Sequence, residues 1–247
     1  MRRGLRSAIR AARVKEPAME QHELFRLVRL VEVKDYCTAA HTWRVTLYMQ
    51  ALAEAMDVDP PDVKRLMRGA VLHDLGKIDI PAAILRKPGR LNDSEWELIK
   101  QHPTFGYNRL VSLGEDDPFV LNLVQSHHEN IDGSGYPNGL TGNDIPLEAQ
   151  LFSVIDAFDA MTSFRPYRPQ MNQSSEGDVL EELLADSGTR YAPQVVERFV
   201  SLVRDRNLNW IRKHFNDHVA ASTLIAPESL DELDALATYH RRPVKAD

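Results

Sequence analysis

Apolar residues recur at helical spacing along most of this 247-residue chain. Leu24, Leu27, Val28 and Val31 share one face of a first segment, and over 39–56 small and apolar side chains repeat at i, i+3 and i+4. Asp59-Pro60-Pro61 closes that run and opens the next, because proline is tolerated in a first helical turn where no backbone N–H is needed. The pattern predicts a helix over 62–73, after which Gly76 lets the chain turn. Lys87-Pro88-Gly89 marks another turn. Asn92 followed by Glu95 has the form of a capping box, so a helix is predicted from Asp93 through Trp96, Leu98 and Ile99 to His102, broken by Pro103. Further helices are predicted over 104–113, 118–128 and 147–164, the last with Leu151, Val154, Ile155 and Phe158 on one face.

Between these last two lies a stretch, 130–146, that holds Gly133, Gly135, Pro137, Gly139, Gly142 and Pro146. Those residues favour turns, and an ordered loop of this length inside a compact domain points to function. Arg165-Pro166-Tyr167-Arg168-Pro169 ends the long helix, and two more are predicted over 174–187 and 193–205. Beyond Arg206 the pattern loosens, with 209–218 and an acidic 229–240 as helix candidates. No internal repeat and no strand pattern stand out. The expected architecture is an all-α bundle over 21–205, with a basic segment at 1–20 and an extension at 206–247.

Composition narrows the classes. An apolar fraction of 43% is ordinary for a globular protein. The net charge of −6 and pI near 5.9 give no global basic field, so a nucleic acid polymer is not an expected partner. An anionic substrate would have to be held by local cations or metals. The single cysteine, Cys37, excludes an internal disulfide and suits a reducing compartment. No run of about 18 uncharged apolar residues could span a bilayer. Arg2, Arg3, Arg6, Arg10, Arg13 and Lys15 make the N-terminus basic, but no signal-like apolar core follows. A cytoplasmic protein is expected.

The chemistry gathers around His73-Asp74, at the end of an apolar helical run. One such pair is weak, since helix ends often carry polar caps. His41, His102, the doublet His127-His128 and Asp156 add to it, so five of the nine histidines fall in or beside apolar segments. Any one of them could be a hydrogen-bonded core residue; the set is a ligand inventory for a dinuclear site. On separate helices they can converge in a bundle, and Asp74 can place one oxygen on each of two ions. His127 and His128 lie about 100° apart around a helix axis and would reach one metal most easily where the helix ends. Imidazole-rich, thiolate-poor ligation favours iron, manganese, zinc or nickel over calcium or magnesium. Two ions about 3.5–4 Å apart clamp a phosphoryl group and activate a water. Lys77, one turn past Asp74, is placed to neutralise a phosphate oxygen. His22, His214, His218 and His240 lie near the ends, outside this company.

These residues resemble a family. His73-Asp74-Leu75-Gly76-Lys77, His127-His128-Glu129 and Asp132-Gly133-Ser134-Gly135-Tyr136-Pro137-Asn138-Gly139-Leu140 are similar to motifs of the HD-GYP subgroup of HD-domain phosphohydrolases. Ile145-Pro146, Asp156-Ala157-Phe158-Asp159-Ala160 and Arg165-Pro166-Tyr167-Arg168 fit the same pattern, and the resemblance covers about residues 22–204. It implies an all-helical, bacterial, metal-dependent phosphodiesterase of cyclic di-GMP, with linear pGpG as the main product and slow further cleavage to GMP. By that pattern His41, His73, Asp74 and Asp156 hold one metal, and Asp74, His102, His127 and His128 hold the other, iron or manganese ahead of zinc or nickel. Asp74 and Lys77 would serve catalysis, Arg165 and Arg168 would contact the guanylate, and Tyr136 would shape the pocket. Members with a third metal carry a glutamate one turn before the first histidine; Cys37 stands there in this chain, so a dinuclear site is expected. Regulation is expected from a protein partner through the termini, and a homodimer is a further expectation. The rivals are a catalytically idle cyclic di-GMP receptor and a phosphohydrolase acting on another cyclic dinucleotide, such as cyclic GMP-AMP.

Overall fold

The computed structural model describes residues 20–35, 38–163, 174–205, 208–216 and 227–241. The basic segment up to residue 19, Cys37, Arg165 and Arg168 lie outside the described residues. No helix in the described part is long and apolar enough to cross a membrane.

The bundle is built around one helix that is apolar on nearly every side. α1 (Gln21–Lys34) leads into α2 (Thr38–Ala55), whose Trp43, Val45, Leu47, Tyr48, Met49 and Leu52 are all buried. A helix that is buried all round must sit at the centre of its domain. α2 packs against α1, against α3 (Pro60–Leu72) and against α8 (Leu147–Thr162). α3 begins with prolines in its first turn, as its sequence dictates, and delivers His73 as its C-terminal cap.

The stretch after His73-Asp74 is more regular than sequence periodicity suggested. Leu75–Asp79 forms a 3-10 turn, and Ala82–Leu85 forms a single-turn helix, α4. Both are too short to show a hydrophobic period. α5 (Asp93–Ile99) starts with the expected capping box, the Asn92 side chain accepting from Glu95 N–H and the Glu95 carboxylate accepting from Asn92 N–H. The predicted helix to His102 is corrected here. α5 stops at Ile99, and His102 opens the next helix, α6 (His102–Ser112), with Pro103 in its first turn. Pro103 therefore starts a helix rather than breaking one, for the same reason as Pro60.

α7 (Pro118–Ser126) ends at the His127-His128 doublet. The glycine-rich loop that follows contains only a short 3-10 turn, Gly142–Asp144, and an isolated bridge between Asp132 and Thr141. α9 (Glu176–Ala185) and the amphipathic α10 (Pro193–Asp205) bury Val179, Leu183, Val195, Val196 and Phe199 against the same core. α11 (Asn209–His214) is shorter than the 209–218 expectation, and α12 is Leu230–Arg241. Ile211, Phe215, Leu230, Leu233 and Ala237 belong to the same hydrophobic cluster as α2. No strand occurs among the described residues, so the all-α expectation holds.

Candidate metal centre

Most of the centre comes from helix ends. His73 caps α3, His102 opens α6 and His127 caps α7, while His41 and Asp156 project from within α2 and α8. Each of the three helix-end histidines makes the same local bond. His73 Nδ1 donates to Ala70 O at 2.8 Å, His102 Nδ1 to Ile99 O at 2.8 Å, and His127 Nδ1 to Val124 O at 2.9 Å. These carbonyls sit in terminal turns that lack full helical partners, so the bond satisfies the backbone and sets the tautomer together. The unprotonated Nε2 of each ring is left to face inward. His41 is fixed differently, its Nδ1 donating to Asp159 Oδ2 at 2.8 Å from a carboxylate with no solvent exposure.

The ligand atoms fall into two groups, each with all atoms within 4.8 Å of one another: His41, His73 and Asp156, and His102, His127 and His128. Asp74 stands between them. Its Oδ2 is 3.1 Å from His73 Nε2 and its Oδ1 is 3.5 Å from His102 Nε2. The structure thus brings together all seven residues expected as ligands, His41, His73, Asp74, His102, His127, His128 and Asp156.

The donor set fits cations on its own chemistry. His102 Nε2 and His127 Nε2 are 3.2 Å apart, and both carry lone pairs because their Nδ1 atoms hold the protons. Two facing lone pairs at that distance repel unless a positive charge lies between them. No proton does this well: burial holds His102 down to about 3, burial holds His128 down to about 4, and burial holds His127 well below the ordinary range. Neutral imidazoles of this kind are able to ligate a metal. In the other group, burial lowers His41, but hydrogen bonds to Asp156 and Asp159 outweigh it and lift the ring to about 9. A cation at Nε2 would replace the proton that this ring otherwise shares with Asp156, 3.3 Å away. Burial raises Asp74, and His73 and Lys77 more than offset it, keeping the carboxyl well below the usual range. Burial likewise works against Asp156, which its hydrogen bond to His41 holds ionised.

The floor of the site is apolar. Phe152 lies with its ring 4.7 Å from His73 and 5.9 Å from His127, which keeps the local dielectric low. Close approach is made possible by glycine at two points. A Cβ on Gly76 would stand 1.9 Å from the His102 carbonyl oxygen, so only glycine lets the 3-10 turn press Asp74 against the start of α6. A Cβ on Gly135 would stand 2.3 Å from Asn130 N and 2.5 Å from His128 O, where the loop folds back onto the doublet. Tyr136 N–H then donates to His128 O, and the Tyr136 ring lies 4.8 Å from that of His128. Lys77 Nζ is 2.8 Å from Asp74 Oδ2 and 3.2 Å from Asp35 Oδ2, partly exposed beside the centre.

Several supporting residues had no role from the sequence. Asp159 binds His41 and also pairs with Arg44, Nε to Oδ1 at 2.6 Å. Buried Glu129 accepts Asn138 N–H at 2.7 Å and Leu140 N–H at 3.0 Å, holding the loop's far limb. Buried Asp35 reaches Lys77. Asp159 and Glu129 stood inside recognised motifs; Asp35 carried no signal.

Comparison with known proteins decides the family, since the HD domain family model matches residues 26–195. The chain belongs to the HD domain family. Its HD-GYP resemblance is borne out by curated relatives. The cyclic di-GMP phosphodiesterase response regulator RpfG of Xanthomonas campestris is 37% identical over 190 residues, 76% of this chain and 48% of the relative. A cyclic di-GMP phosphodiesterase of Thermotoga maritima is 40% identical over 178 residues, 71% of this chain and 47% of the relative. A 3'3'-cGAMP-specific phosphodiesterase of Vibrio cholerae is 33% identical over 181 residues, 70% of this chain and 33% of the relative. This HD domain chain therefore spans about half the length, or less, of the curated relatives it matches. Among solved structures, the Vibrio cholerae cyclic GMP-AMP phosphodiesterase V-cGAP3 shares the fold, with a TM-score of 0.58 at 18% identity, covering 87% of this chain and 58% of that one.

Proposed function

We propose that this HD domain is a cyclic dinucleotide phosphodiesterase that opens cyclic di-GMP to linear pGpG, with slow further cleavage to GMP, in the bacterial cytoplasm. The observation that carries this reading is Asp74, with one oxygen turned to each of two imidazole groups. His41, His73, Asp74 and Asp156 would hold one divalent ion, and Asp74, His102, His127 and His128 the other, iron or manganese ahead of zinc or nickel. Bound there, the ions would supply Lewis-acid charge and an acidified water.

This chain's own residues supply the rest. Nδ1 bonds to backbone carbonyls and to Asp159 hold four imidazoles at fixed angles, so little reorganisation accompanies the reaction. Lys77, tethered by Asp35 and Asp74, offers its ammonium to a phosphoryl oxygen. Phe152 and the buried helix ends exclude bulk water from the phosphorus. Water adds to phosphorus in line and gives up a proton as the bond to the 3′ oxygen breaks; that oxygen leaves protonated as a hydroxyl, and a linear dinucleotide with a 5′ phosphate results. Arg165 and Arg168 would pair with guanine or phosphate edges.

The test is product analysis on anaerobically metal-loaded protein. Early accumulation of pGpG with two ions per chain supports the reading; bound cyclic di-GMP with two ions and no product would turn it into a receptor. A second reading, cyclic GMP-AMP as substrate, is favoured by the 33% identity to the Vibrio cholerae enzyme. Competing both dinucleotides in one assay separates the two.

A further inference from the structure

Trp96 is 45% exposed on α5, a seven-residue helix with no buried residue. Only Glu95, Leu98 and Ile99 of its residues are partly covered, so it gains little from packing. Its Asn92–Glu95 capping box and the Lys87–Glu95 ion pair at 2.6 Å also hold it. Its one aromatic ring meets Tyr136 edge-on, with centroids 6.2 Å apart and planes at 79°. Tyr136 in turn lies 4.8 Å from His128 at 33°. A relay of two aromatic rings thus runs from a candidate metal-ligand histidine outward, and the half-exposed indole of Trp96 stands at its outer end. Trp43, by contrast, is fully buried.

We propose that Trp96, backed by Tyr136, is the surface on which a purine base of the substrate stacks; this rests on the cyclic dinucleotide reading above. Such a substrate has two chemically distinct parts. Its phosphates are served by the imidazoles, Asp74 and Lys77 at the centre. Its bases are planar and largely apolar, and they project away from the phosphate through the ribose, toward the rim where Trp96 stands. The edge-on contact with Tyr136 fixes the indole plane, so that stacking orders few additional bonds. Stacking on an aromatic ring tolerates different bases, so this residue contributes affinity more than choice between guanine and adenine.

The experiment is steady-state kinetics with cyclic di-GMP on metal-loaded wild type, Trp96→Ala, Trp96→Gln and Trp96→Phe. Loss of one stacked base raises KM about ten- to hundredfold in the Ala and Gln variants and leaves kcat within about twofold, while Phe recovers most of the affinity. Cyclic di-GMP should also quench tryptophan emission within the first turnover in wild type and not in Trp96→Phe. Since Trp96 is 45% exposed and outside the core, melting temperatures should change little; the Gln variant stands in if the Ala variant does not fold. A wild type that turns over cyclic di-GMP, with KM unchanged in both truncated variants or with kcat alone reduced, overturns the stacking role and leaves the activity standing. A wild type that cleaves no cyclic dinucleotide removes both.

Discussion

Asp74 reaches both imidazole groups, its two oxygens facing different clusters at 3.1 and 3.5 Å. Asp74→Ala is expected to cut turnover of the metal-loaded protein about a thousandfold or more, through loss of several kcal/mol of transition-state stabilisation. Its helical circular dichroism should stay, because the carboxylate pairs with the side chains of His73, His102 and Lys77. A full-activity Asp74→Ala protein would refute the proposed chemistry. Glu32 supplies a stability test away from the centre. Burial raises its carboxyl from 4.5 to about 7, against opposing effects of Arg29 and Trp43. The folded chain therefore keeps a proton that the unfolded chain releases between pH 4.5 and 7, and stability falls as pH rises through that window. Glu32→Gln should flatten this slope and add about 1–2 kcal/mol at pH 8, read from urea denaturation at pH 5 and 8. The candidate ligands were legible because histidines and acids inside apolar helices are conspicuous. Asp159 and Asp35 were not, because a carboxylate's task depends on its partner: His41 lies 118 positions from Asp159, and Lys77 lies 42 from Asp35.

At the scale of elements, the centre depends on where helices stop. α3 and α7 both end at candidate ligands, so their C-terminal ends direct partial negative charge at the place where cations would sit. The 3-10 turn after Asp74 meets α6 only because Gly76 has no side chain. Gly76→Ala should separate these two elements, cost roughly 2–4 kcal/mol of stability and weaken binding of the ion on the His102 side, as thermal melts and metal titration would show. An unchanged melt and titration would mean that the turn can shift without moving His102. Helix existence was readable from period and caps, as with the α5 capping box. Helix limits were harder. Pro103 has one appearance in sequence and two structural meanings, a breaker within a helix and a starter in its first turn, and only the neighbouring turn decides between them. The 3-10 turn and α4 span too few residues for a period to register.

For the molecule as a whole, burying this many imidazoles with their lone pairs turned together should make the fold responsive to added ions. Chelation should lower the melting temperature reversibly, and re-addition of manganese or iron at about 100 times its dissociation constant should restore about 2.7 kcal/mol. Identical melts with and without metal would show that the clusters do not bind ions in the folded state. Arg44 extends this dependence to the far end of the chain. While its Nε holds Asp159, its Nη1 donates to the Phe215 carbonyl at 2.9 Å, beyond the last residue matched by the family model. Ending the chain at 205 would remove that acceptor and slacken the grip of Asp159 on His41. Ion affinity at the first group would then report how firmly the last helices are seated, so a fragment ending at 205 should load metal less tightly than residues 1–247.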